Sequence, residues 1–112
     1  MNEEKSYKVK LSIIKKIYDT LLPVHYRVNS LLEDVVSKTV VLNEMERSIL
    51  LEYCSCTSAL KVLFESYFEK AHEKSSQELI LPQREYLTII SMSKTAEEAS
   101  RSSFGPTAIW EH

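Results

Sequence analysis

The residues of this chain that could do chemistry are few and badly placed for it. Glu69-Lys70-Ala71-His72 is an E-x-x-H, a spacing that sets a carboxylate and an imidazole on one helix face, as at carboxylate-bridged di-iron centres. Such a centre needs a second E-x-x-H and two further glutamates, and the sequence has three histidines and no second copy of the motif. Glu69 and His72 share a polar face with Glu65 and Glu73, so a solvated surface is expected there, and no metal. Asp19 and Asp34 are the only aspartates, and His25 is the histidine nearest to either. His25 falls in an apolar phase between Tyr18 and Val28, which predicts a hydrogen-bonded core or interface histidine rather than a general base. Cys54 and Cys56 stand two apart in a helical pattern, so at about 100° per residue they can neither pair nor share a metal ion.

A single glycine, Gly105, removes whole classes of site. Phosphate loops, dinucleotide fingerprints and nucleophile elbows use glycine where the backbone takes positive φ or approaches a ligand closely. The expectation is therefore a chain that is not an enzyme, with no catalytic residues and no cofactor. Binding is better provided for. Residues 1–27 carry six Lys or Arg against three Asp or Glu, a balance of +3, whereas residues 28–112 carry eight against thirteen, or −5. Lys5, Lys8, Lys15, Lys16 and Arg27 are the candidate contacts to an anion or a nucleic acid, set against an acidic body that disfavours that use.

The apolar residues point more firmly to protein. The only tryptophan sits in the closing stretch Phe104-Gly105-Pro106-Thr107-Ala108-Ile109-Trp110-Glu111-His112. Gly105-Pro106 terminates a helix and turns the chain. Beyond it, Ile109 and Trp110, with Phe104 just before, are expected to dock in a groove on this chain or on a partner. Leu50 and Phe68 lie beside the main stripe of the longest helix and join these three as partner-binding candidates.

The elements that position these residues are expected to be helices. A composition of 44% hydrophobic and 27% charged residues is that of a globular domain, and one glycine with three prolines leaves few turns. Tyr7, Leu11, Ile14, Tyr18 and Leu21 predict a first amphipathic helix from Lys5 to Leu22. Pro23 ends or kinks it, and a second helix runs to about Ser37. Thr39-Val40-Val41-Leu42 reads as an extended link. Asn43 and Glu46 form a capping box for a long helix to Lys74, with Met45, Ile49, Tyr53, Cys56, Leu60, Leu63, Phe64, Tyr67 and Ala71 as its apolar stripe. Leu79-Ile80-Leu81 reads as a second apolar link before a last helix opened by Pro82. Its small residues, Ala96, Ala99, Ser100 and Ser103, would leave a shallow groove.

The expected architecture is all-α: about four helices bundled around residues 43–74, one domain over residues 1–103, and a tail over 104–112. A helix of about 30 residues spans about 45 Å, so part of its stripe calls for another chain, and a homo- or hetero-oligomer is expected. From Pro23 to Met92 the order of short helix, link, long helix, link and short helix resembles the histone fold, whose members dimerise. That resemblance implies a nucleic-acid-associated subunit and a nuclear location. Size and layout alone are similar to small bacterial immunity proteins. A small ligand among Tyr18, His25, Tyr53 and Tyr67 is a further reading. The leading expectation is a non-catalytic, dimeric protein–protein interaction module of the cytoplasm. No segment suits a membrane span or a signal peptide.

Overall fold

The computed structural model describes residues 5–74 and 77–101. The chain runs β1 (Ser6–Lys10), α1 (Leu11–Val36), α2 (Glu44–Lys74), β2 (Glu78–Pro82) and α3 (Gln83–Arg101). It is mainly helical, but the described residues form three helices and a two-stranded sheet where four helices were expected. Ser103, Phe104, Ile109 and Trp110 lie outside the described residues, as does the Ser75-Ser76 loop.

Two departures account for the difference. The first helix does not begin at Lys5. Ser6-Tyr7-Lys8-Val9-Lys10 alternates polar and apolar residues, and as β1 it turns Tyr7 and Val9 inward while Ser6, Lys8 and Lys10 stay exposed. Its antiparallel partner β2 is the segment read as a second link, paired with Tyr7 opposite Leu81 and Val9 opposite Leu79. The second departure is Pro23, which lies inside one continuous 26-residue α1. Its ring is at an exposed position, so the strain it causes meets solvent and not packed side chains.

At the other end of α1 the chain turns through Lys38, the one described non-glycine residue with positive φ, at 66°. The N–H groups of Ser37, Lys38 and Thr39 donate to the carbonyls of Glu33, Val35 and Asp34, closing the helix. The link Thr39–Leu42 is irregular, not strand, and pairs with nothing in the sheet. The short helix expected from Pro23 is instead the second half of α1, and the expected second link is strand β2, paired with the amino-terminal strand. Asn43 and Glu46 form the expected capping box: Glu46 N–H donates to Asn43 Oδ1 at 2.8 Å and Asn43 N–H to Glu46 Oε1 at 3.1 Å.

α1 and α2 run antiparallel, tied by Cys54 to Val28, Thr57 to His25 and Glu65 to Tyr18. α3 returns antiparallel to α2, with Cys56 Sγ donating to the Met92 carbonyl at 3.2 Å. One half of the core joins Val24, Val28, Leu31, Leu50, Tyr53, Cys54 and Ala99. The other joins Ile14, Leu21, Leu60, Phe64, Tyr67, Leu81, Ile89 and Ala96. Tyr53, Leu60, Phe64, Tyr67 and Ala71 of the expected α2 stripe are buried, but in the amino-terminal half of the helix the buried face is shifted. Leu50, Cys54 and Thr57 are inside, while Met45 is 72% exposed and Cys56 only partly buried. Thr57 reads as polar in sequence, but its hydroxyl donates to the Tyr53 carbonyl at 2.9 Å, so it can be fully buried. α1, β2 and α3 cover that face within the chain, so the length of α2 alone does not call for an oligomer.

The sheet fixes where α1 and α3 begin. Leu11 N–H donates to the Gln77 carbonyl at 2.9 Å, and Gln83 N–H to the Lys5 carbonyl at 2.7 Å. The two helices therefore start from opposite ends of an antiparallel ribbon about 17 Å long. They converge only further on, where Arg27 of α1 donates to the carbonyls of Ala99 and Ser100 in α3.

Candidate functional site

Between the spread starts of α1 and α3 lies a groove. Two adjoining depressions of ≈ 380 Å³ and ≈ 590 Å³ share Ile17, Ser93 and Glu97, so they form one trough. Its α1 wall is Ile13, Ile14, Ile17, Leu21 and Val24; Leu60 and Leu81 make its floor. The α3 wall is Ile89 and Ile90 at the sheet end and the small residues Ser93, Ala96 and Ser100 beyond. Those small side chains cannot bridge the gap to α1. From Ile13 to Val24 the trough is about 16 Å long, or three helical turns. Tyr7 and Tyr86, stacked with centroids 4.3 Å apart, close its sheet end.

The rim is basic. Lys8, Lys10, Lys16 and Lys94 line the trough, and none of their ammonium groups has a hydrogen-bond or ion-pair partner among the described residues. The one carboxylate of the lining, Glu97, is taken by Arg101 at 2.6 Å. An apolar floor with unneutralised cations at its edges is suited to an apolar segment flanked by acid.

A second cluster of polar side chains lies along the α1–α2 seam. Tyr18 Oη donates to Glu65 Oε2 at 2.7 Å and Lys61 Nζ to the same oxygen at 2.9 Å. Both bonds hold the Glu65 carboxyl below its usual range, that from Tyr18 most. The Glu65 hydrogen bond in turn raises the Tyr18 phenol and the Lys61 ammonium. The Tyr18–Glu65 bond fastens α1 to α2, and Lys61 holds the same carboxylate from one turn earlier on α2.

His25 completes the seam. Asn29 Nδ2 donates to the His25 carbonyl at 2.7 Å, which fixes the amide orientation, and lies 3.2 Å from His25 Nδ1. Thr57 Oγ1 lies 3.2 Å from the same nitrogen. Burial, with help from Lys61, lowers the His25 pKa. The imidazole is a neutral hydrogen-bonded anchor, with Tyr26 edge-on at 5.3 Å. Tyr67 faces Glu85 and not this cluster, and burial followed by that hydrogen bond raises its phenol.

The sequence-derived candidates scatter. Leu50 is fully buried in the chain's own core and has no surface to offer a partner. Phe68 is partly buried edge-on against Tyr18 at 5.2 Å. Of the five cations, Lys8 and Lys16 border the groove, Lys15 pairs with Asp19 at 2.9 Å, Lys5 precedes β1, and Arg27 joins α1 to α3. Lys10 and Lys94, Ile13 and Ile90 were not foreseen at a site; only the strand pairing brings them together. Glu69 and His72 are both exposed, and no group of three or more His, Cys, Asp or Glu converges among the described residues. No helix of the described residues is long and apolar enough to cross a membrane. Comparison with protein-family models, with curated proteins and with solved structures found no significant match.

Proposed function

We propose that this chain is a non-catalytic helical interaction module that receives an amphipathic helix of a partner protein in the groove between α1 and α3. The observation that carries this reading is the trough itself: apolar along three helical turns, open to solvent and edged by four unpaired lysines. A helix with apolar residues at i, i+3/i+4 and i+7 and carboxylates on its flanks matches both features. The partner is a second copy or another chain, so the working unit is a homo- or hetero-oligomer. The seam of Tyr18, His25, Lys61 and Glu65 holds the scaffold rigid beneath it.

Capture from extract of the cell that makes the protein tests this, comparing the native chain with two surface variants. Ile13→Asp/Ile90→Asp places charge in the groove at positions that are both exposed, and Val62→Asp does so on an exposed residue of α2 outside it. The groove variant should lose a protein that the native chain and the Val62 variant both retain. Retention of the same proteins by all three would overturn the reading. Loss of the captured material with nuclease or a modest rise in salt would favour a nucleic-acid role instead.

A further inference from the structure

The narrower end of the groove is matched to a segment of this chain. α3 runs along the trough and its last lining residue, Ser100, stands one position before the end of the helix at Arg101. The chain continues as Ser102-Ser103-Phe104-Gly105-Pro106-Thr107-Ala108-Ile109-Trp110-Glu111-His112, outside the described residues. We propose that this segment turns back at Gly105-Pro106 and seats Ile109 and Trp110 in the ≈ 380 Å³ depression between α1 and α3. The proposal rests on the reading of that trough as a site for a protein segment.

Four observations converge on this occupant. The first is reach: Thr107 to Trp110 spans about 13 Å when extended, enough to bring the indole back from the turn to the level of Ser100 and Ala96. Size is the second, because ≈ 380 Å³ takes one indole and leaves room for an aliphatic neighbour. Third is charge: the segment from Thr107 onward carries Glu111 and neither Lys nor Arg, and the depression carries the unpaired Lys16. Fourth is an orphan hydroxyl. Ser93 Oγ lines both depressions, is buried, and has no hydrogen-bond partner among the described residues. Serines and threonines within helices commonly bond back to the carbonyl four residues earlier, as Thr88 and Thr95 do here, and Ser93 does not. An indole N–H is a donor with no acceptor capacity, and the Ser93 hydroxyl, which can both donate and accept, has lone pairs to receive it.

Trp110 is the only tryptophan, so the fluorescence of the full-length chain reads this contact alone. In the native chain its emission should be blue-shifted and its quenching by acrylamide several-fold weaker than after denaturation, independent of protein concentration. Lys16→Glu/Thr20→Glu alters two exposed residues of the depression and should return Trp110 to the exposed signal with helical content unchanged. Ser93→Ala should move it part of the way, and Val62→Glu not at all. An exposed signal in the native chain overturns the proposal, as does a shielded signal that survives the double substitution. Shielding that disappears on dilution would place the segment in a second copy, which also overturns it. Capture of a protein through Ile13 and Ile90 tests the groove separately, so either reading can fail without the other.

Discussion

Replacing Pro23 with alanine should stabilise this protein. Pro23 sits thirteen residues into a 26-residue helix, where it has no N–H for the carbonyl of Asp19 and its ring crowds that turn. In an exposed helix interior, proline is about 3 kcal/mol less favourable than alanine. The ring is exposed, so truncating it forfeits no core contact. That figure already includes the greater freedom of the unfolded chain without proline, so the expectation is about 3 kcal/mol, or a rise of about 12 °C in the melting midpoint for a domain of this size. Urea and thermal unfolding followed by circular dichroism measure it, with native-state amide exchange across residues 21–27 as a local check. An unchanged or lowered midpoint, or fast exchange confined to that turn in the alanine variant, would show that α1 is not one helix and refute the reasoning.

Lys38→Gly should gain about 1 kcal/mol in the same urea experiment, since φ of 66° places a Cβ in the left-handed region at the helix end; a loss would mean the turn is built differently. Burial raises both thiols, so both cysteines should react slowly in the native state. Cys56, partly buried, should be modified before Cys54, which is 6% exposed; the reverse order would restore the helix phase expected from sequence. For His25, a folded pKa below that of the unfolded chain means the unfolded state binds more protons between the two values. Stability should therefore be complete above about pH 6.5 and fall as pH drops below it, with a smaller fall in His25→Gln. A native chain whose stability is flat across that window would show that His25 is not held neutral.

Helical class was legible because few turn residues and long apolar periodicity leave little else, and the capping box marked the start of α2 to the residue. Three things were not legible, each for a physical reason. β1 and β2 are more than 65 residues apart, and neither has a local signal stronger than an alternation that a helical phase can also absorb. Pro23 breaks a helix on propensity, but packing of Leu21, Val24 and Val28 on either side carries α1 through. Thr57 looks like surface until its hydroxyl is seen to bond its own helix, and with it Leu50 and Cys54, which flank the expected stripe, lie inside. The groove inherits all three. It exists because the ribbon parts the starts of α1 and α3, so the small residues of α3 hinted at it while Lys10, Lys94 and the α1 wall stayed hidden.

The measurement that bears most directly on the groove as a protein-binding site is site-specific photocrosslinking in the cell that makes the protein. A photoreactive residue at Ile90, on the trough wall, is compared with one at Val62, exposed on α2 away from it. The account predicts a discrete crosslink to one protein from Ile90 and none from Val62. The same crosslink should be lost when Ile13 is changed to Asp. No crosslink from Ile90, or equal crosslinking from both positions, would contradict it.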